Sequence, residues 1–153
     1  MTPIAAFYEP TYESGMDGFS RVSRFISDEC DYDSYIDPDE DIFNRVGITG
    51  DDADDFIIAF EKTFDVDMRN YLWYFHSEEE GGLDLGGLFF KSPDRLVTRI
   101  PITPRVLSDS IAAKKWTVHY PEHTAPNVRR DLALNWVFLL AAPLLFLVWT
   151  LVR

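Results

Sequence analysis

Apolar positions recur at helical spacing in three stretches of the chain and run almost unbroken in a fourth. Ala53, Phe56, Ile57, Phe60 and Phe64 stand at i, i+3, i+4, i+7 and i+11, one face of a helix that follows the turn Gly47-Ile48-Thr49-Gly50. Phe19, Val22, Phe25 and Ile26 keep the same spacing and predict an earlier helix, which must stop near Asp28 to Tyr35, where acids and turn formers gather. Pro38 and the three acids after it predict a short helical turn that points Ile42, Phe43 and Val46 inward. Val106, Leu107, Ile111 and Ala113 supply a further stripe, with Thr103 as N-cap, Pro104 at the first helical position and Lys114 and Lys115 at the C-terminal end of the dipole. Tyr71 to Phe75 form an aromatic patch that reads as a short helix or an extended strip closing the core. Ser77 to Leu88, with three glutamates and two Gly pairs, reads as the start of a flexible insert near 77–95.

The fourth stretch is of another kind. Trp136 to Val152 is 17 residues without a charge, and extending back through Leu132 gives 21. At ~1.5 Å per residue such a helix is ~30 Å long, the thickness of a bilayer's hydrocarbon core. Trp136 and Trp149 stand near its ends, and Pro143 is tolerable in lipid with a kink. The expectation is a transmembrane anchor through 132–152 in contact with the lipid bilayer. Arg129 and Arg130 precede the span and only Arg153 follows it, so the positive-inside tendency puts the N-terminal body in the cytoplasm, on a single-pass tail anchor. The N-terminus has neither a basic start nor a long apolar run, unlike a secretion signal.

These elements predict an all-α protein: an arm over 1–17, a bundle of three to four helices over 18–116, a linker over 117–131 that contains Pro121 and Pro126, and the anchor over 132–153. Charge divides the chain in the same way. The net charge of −12 is the balance of −17 over residues 1–94 and +5 over residues 95–153. An acidic body repels phosphates, which argues against nucleic-acid binding. Cys30 is the single cysteine, so no internal disulfide can form.

Asp51, Asp52, Asp54 and Asp55 crowd the first turns of the central helix, where unpaired N–H groups favour carboxylates. Four exceed what capping needs, and their repulsion cancels part of the gain. Together with Glu61 they form a candidate docking surface for the basic surface of a partner protein. Other constellations fail on spacing. Asp37, Asp39 and Asp41 alternate as in a calcium loop, but Ile42 stands where that loop needs Gly and Ile48 where it needs Glu. Pro121 separates His119 from His123 and breaks any helix that would align them on a metal; His76 stands alone beside the aromatic patch. The Gly pairs lack the spacing and the Lys of a phosphate loop, and Cys30 has no base near it in sequence. No catalytic residue, metal ligand or cofactor is expected.

Val46-Gly47-Ile48-Thr49-Gly50-Asp51-Asp52-Ala53-Asp54-Asp55-Phe56 runs parallel to the Leu-Gly-x-Asp-Ser-Leu-Asp-x-Val-Glu-Leu segment of acyl carrier proteins, and Glu61, Phe64, Asp65 and Val66 resemble the Glu-x-x-Phe-Asp-Ile that follows it. Within that superfamily the chain resembles a small bacterial family of unknown function, domain-of-unknown-function family 1493. The marks are Gly-Asp-Asp-Ala-Asp-x-Phe at Gly50 to Phe56, Phe-x-Val-Asp-Met at Phe64 to Met68, Pro-Ile-Thr at Pro101 to Thr103, and Trp116 at a helix end. The resemblance covers about residues 18–116 and implies a small carrier-like bundle that presents its second helix to basic partners. With the anchor, it implies a place in the bacterial inner membrane. In carriers a serine hydroxyl takes up the phosphopantetheine arm; here the aligned residue is Gly50, with no side-chain nucleophile. The hydroxyls of Thr49, one residue early, and of Ser34, in a local Asp-Ser-Tyr, are the displaced alternatives. The expected function is therefore a non-catalytic, membrane-anchored acidic interaction module on a degenerate carrier fold, and the alternative is a working carrier modified at Thr49 or Ser34.

Overall fold

A computed structural model describes residues 17–79, 85–124 and 129–152. The arm expected over 1–17 lies, apart from Asp17, outside the described residues, as do the middle of the insert and residues 125–128. Among the described residues five α-helices follow one another: α1 (Gly18–Cys30), α2 (Ile42–Val46), α3 (Gly50–Phe64), α4 (Pro104–Ala113) and α5 (Arg130–Val152). Short 3-10 turns at Trp73–Phe75, Gly86–Leu88 and Pro93–Leu96 occupy the stretch between α3 and α4. Among the described residues there is no strand, only a parallel bridge between Asp67 and Lys115.

Three helices of the body, α1, α2 and α4, start where a side chain takes up free N–H groups. Asp17 accepts from Ser20 N at 2.7 Å to open α1, and Asp41 accepts from Phe43 N and Asn44 N to open α2. Thr103 accepts from Val106 N at 3.2 Å, with Pro104 at the first position of α4. α2 therefore starts at its capping carboxylate, three residues after the Pro38 that suggested a turn. The apolar stripe of α3 packs on α1: the Phe25 ring lies 5.0 Å from Phe56, 5.9 Å from Phe60 and 5.3 Å from Phe64. Phe43 of α2 meets Phe56 edge-on at 5.7 Å, and Leu107 and Ile111 of α4 join the same core. Rings in tilted and edge-on contact add directional attraction to the burial of area.

The chain after α3 is pinned to the end of α4. Asp67 N donates to Lys114 O at 3.1 Å and Trp116 N to Asp67 O at 2.9 Å. Lys114, expected to serve the dipole of its own helix, instead sends Nζ to Phe64 O at 2.8 Å, satisfying the C-terminal carbonyl of α3.

The C-terminal region corrects the sequence reading. Residues 130–152 form one helix, through Pro143, yet among the described residues no helix is long and apolar enough to cross a membrane. The start of α5 is taken up by polar contacts within the protein. Asp131 is buried in an ion pair with Arg129, and Asn135 Oδ1 accepts from Gly86 N at 2.6 Å. The apolar stretch that begins after Asn135 has 17 residues. That is ~26 Å of helix against the ~30 Å of a bilayer core, with Pro143 removing one hydrogen bond inside it. The span over 132–152, the interface roles of Trp136 and Trp149, the lipid-tolerated kink at Pro143, the tail anchor and the single-pass placement in a bacterial inner membrane with a cytoplasmic body do not stand. Trp136 and Trp149 are exposed side chains of α5.

Gly86 fits this junction because it has no side chain. A Cβ there would lie 1.9 Å from Asp131 O, a backbone atom that cannot give way. Arg129 completes the contact by bridging Asp131 to Glu79, its Nη2 lying 2.6 Å from the Asp131 carboxylate and 2.5 Å from that of Glu79. The bonds from Arg129 hold the Asp131 carboxyl below its ordinary pKa.

Candidate functional site

α3 carries all five carboxylates of the predicted docking surface on its outside, the four aspartates in its first two turns and Glu61 near its end. Asp51, Asp52, Asp54, Asp55 and Glu61 are exposed, while Ala53, Phe56, Ile57, Phe60 and Phe64 are buried. At ~100° per residue, Asp51, Asp54, Asp55 and Glu61 fall within an arc of ~120° opposite the apolar stripe, and Asp52 lies ~60° to one side. Along the axis the four aspartates crowd the first turn and a half, with Asp52 one turn from Asp55, and Glu61 stands ~9 Å further on. None of the five stands in an ion pair within the described residues, where six other pairs occur. The Asp54 carboxyl is raised above its ordinary pKa, by partial burial first and then by repulsion from Asp51 and Asp55. This patch is unneutralised charge.

The helix start has an unusual backbone. Thr49 is the N-cap residue, yet its side chain makes no capping bond, and the hydroxyl is exposed. Gly50, the first helical residue, has φ +49, in the left-handed region. A residue with a Cβ is strained there by roughly 1–2 kcal/mol. A serine at this position would meet the same strain.

A second group of acids, Asp37, Asp39, Glu40 and Asp41, is fully employed. Asp37 accepts from Asp39 N at 3.0 Å, Asp39 holds Arg105 through two bonds of 2.6 and 2.9 Å, and Glu40 faces Arg45 at 3.7 Å. Asp41 caps α2 and pairs with Arg99, whose Nε donates to His76 O at 2.8 Å. The alternating carboxylates that resemble a calcium loop are the caps and ion pairs of a corner joining α2 to α4.

Arg99 leads to a cleft. One cavity of about 460 Å³ is lined by Phe43, Asn44, Gly47, Ile48, Thr49, Ser77, Glu78 and Arg99. A second, of about 370 Å³, shares Ser77, Glu78 and Arg99 and continues past Tyr74, Glu79 and Val97 to Asp94 and Arg95. Thr49 at the head of α3 therefore opens onto a polar depression whose far wall comes from residues 74–79 and 94–99. The hydrophobic pattern carried no sign of it, because apart from Phe43 and Asn44 of α2 its residues lie in 3-10 turns and connecting chain. Ser34 is exposed on the rim of a separate cavity between α1 and the chain that follows, beside an Asp33 that accepts from Ser27 Oγ at 2.5 Å.

The floor behind Arg99 is a buried polar network around His76, which is completely buried. The hydroxyl of Tyr120 accepts from Trp116 Nε1 at 2.8 Å and from Leu72 N at 3.1 Å, filling both lone pairs. Its own proton must then go to His76 Nε2, 2.8 Å away, so Nδ1 carries the ring proton and donates to Ile100 O at 2.8 Å. His76 is a neutral imidazole, stacked on Tyr71 at 5.2 Å, and burial pushes its pKa down to about 4. Its aromatic neighbours reach the chain after α4: His123 Nδ1 donates to Pro121 O at 2.9 Å, and its Nε2 accepts from Tyr74 OH at 2.8 Å. His119 is exposed and takes no part. Cys30 is half-buried, and burial followed by repulsion from Glu29 pushes its thiol up to about 11, which favours the protonated thiol at neutral pH.

No family model matches the chain, and no curated protein and no solved structure is similar to it.

Proposed function

We propose that the chain is a non-catalytic interaction module that presents the outer face of α3 to the basic surface of a partner protein. The observation that carries this reading is the contrast in pairing: Asp51, Asp52, Asp54, Asp55 and Glu61 are exposed and stand in no ion pair, whereas in the other acidic corner Asp39, Glu40 and Asp41 each face an arginine and Asp37 holds a backbone N–H. An unneutralised arc on a rigid helix steers a cationic surface and fixes its orientation. The resemblance to carrier proteins supports the same reading, on a scaffold that has lost the attachment serine. Carbodiimide crosslinking in cell extract tests it, with the attachment points mapped by mass spectrometry. Crosslinks should map to Asp51–Glu61, fade as salt rises, and vanish in the D51N/D52N/D54N/D55N variant; the same adducts on that variant would sink the proposal.

A second reading, a carrier modified at a displaced hydroxyl, draws on the free Thr49 side chain at the mouth of the cleft. The intact mass after co-expression with a phosphopantetheinyl transferase separates the two. Addition of one phosphopantetheine to the Thr49 peptide, or to that of Ser34, would replace the first reading with the second.

A further inference from the structure

α5 carries more exposed apolar side chains than any other element of the described residues. Its first turns are held by the body, through Asp131 on Arg129 and Asn135 on the Gly86 N–H. From Trp136 to Val152 there is no charge, and Thr150 is the one residue with a hydroxyl. Trp136, Leu139, Leu140, Val148, Leu151 and Val152 are exposed. At ~100° per residue they spread over roughly 220° of the helix circumference, so α5 has no polar side to turn to water. The surface continues onto the body. The turn Gly86–Leu88 packs on the base of α5, and Leu88 and Phe89 stand 77% and 68% exposed beside it.

The area sets the kind of partner. Scaled by their exposures, the apolar side chains of α5 leave on the order of 1,000 Å² in water. The largest apolar patch on a typical monomer is ~300–600 Å², and a stable interface takes ~800 Å² from each partner. Two facing helices cover part of the α5 surface, and the patch of Leu88 and Phe89 adds to it.

We propose that α5 pairs antiparallel with α5 of a second copy of this chain. The direction follows from charge and from where the exposed residues stand. Side by side, parallel helices bring two acidic bodies together. Antiparallel ones carry them to opposite ends of ~26 Å of apolar helix, far beyond the ~8 Å over which charges act at physiological ionic strength. A two-fold axis at the middle of the apolar stretch lays the tip of each α5, Leu151 and Val152, against the base of the other. There Leu88 and Phe89 are exposed, and the four side chains cover one another at each end. The pairing goes beyond the docking of α3 and uses none of its residues.

Sedimentation equilibrium of the full chain in aqueous buffer, at micromolar concentration, should give twice the chain mass of 17.7 kDa. Leu140→Glu with Leu151→Glu, both at exposed positions where folding of the body is not at stake, should raise the dissociation constant by roughly a hundredfold, because pairing then buries unpaired carboxylates. Thiol pairing reads the direction. In a Cys30→Ser background, chains with Phe89→Cys mixed with chains with Leu151→Cys should join as mixed dimers on oxidation with diamide, while Leu151→Cys chains alone should stay unlinked. Linking of Leu151→Cys chains to one another would show parallel helices and overturn the arrangement. A monomer, an assembly larger than two, a double-glutamate variant that pairs as tightly as the parent, or transfer of single chains to phosphatidylcholine vesicles would each overturn the pairing itself.

Discussion

Residues 37–41 and 51–55 hold nearly the same chemistry: three aspartates and a glutamate in the first, four aspartates in the second. Their fates differ. Every carboxylate of the first stretch is bonded to a backbone N–H or faces an arginine, and two of the three arginines come from far along the chain: Arg99 is 58 positions from Asp41, and Arg105 is 66 from Asp39. No carboxylate of the second stands in an ion pair. The first stretch lies where the chain crosses itself, and the second rides on the outside of a helix whose inner face is occupied by phenylalanine. Acidity alone does not separate a structural corner from a docking surface; what lies across from each carboxylate does.

The largest effect should come from the structural corner. Asp41→Ala removes a helix cap and one half of a partly buried ion pair, stranding Arg99, and should destabilise the protein by about 3 kcal/mol in urea unfolding. A loss below ~1 kcal/mol would erase the distinction between the two stretches. Behind that corner, pH is the next lever. The His76 pKa is near 4 in the folded state, against 6.5 for a free histidine. Between those values the unfolded chain binds a proton that the folded one refuses, so this contribution is complete above about pH 6.5 and falls away as pH drops toward 4. From pH 7 to pH 5 it should amount to about 2 kcal/mol, and the slope should vanish in His76→Gln. A variant that keeps the slope would assign it to other groups.

The head of α3 offers a subtler test. Gly50→Ser should destabilise by about 1–2 kcal/mol, because a Cβ is disfavoured at that left-handed φ. A neutral or stabilising serine would mean the backbone relaxes to an ordinary helix start. The smallest effect belongs to the outer face of α3. D51N/D52N/D54N/D55N should change stability by less than about 1 kcal/mol, since relief of repulsion offsets the lost attraction to the helix dipole. A large loss would show that these carboxylates support the fold.

Much of the body was legible because it depends on local pattern. The stripe from Ala53 to Phe64 faces the core as its spacing predicts, and Thr103 with Pro104 opens α4. The exposure of Asp51, Asp52, Asp54, Asp55 and Glu61 follows from the same period. What stayed hidden depends on contacts between distant residues. Nothing local to Arg99 announces that it joins the α2 cap to the carbonyl of His76. The C-terminal helix misled for the same reason: hydropathy counts residues one at a time, and it could not foresee that Gly86 would engage Asn135 and take the first turns of α5 into the protein.

The hydroxyl of Tyr120 has a consequence for how little of this chain can fold alone. A cut directly after Trp116 keeps all of α1 to α4. Such a shortened chain would leave the indole N–H of Trp116, the amide of Leu72 and the inner nitrogen of His76 facing an empty space, three polar groups deprived at a stroke by the loss of one side chain. The smallest self-sufficient unit therefore extends at least through Tyr120, and through His123 if the Tyr74 and Phe75 rings are to stay covered.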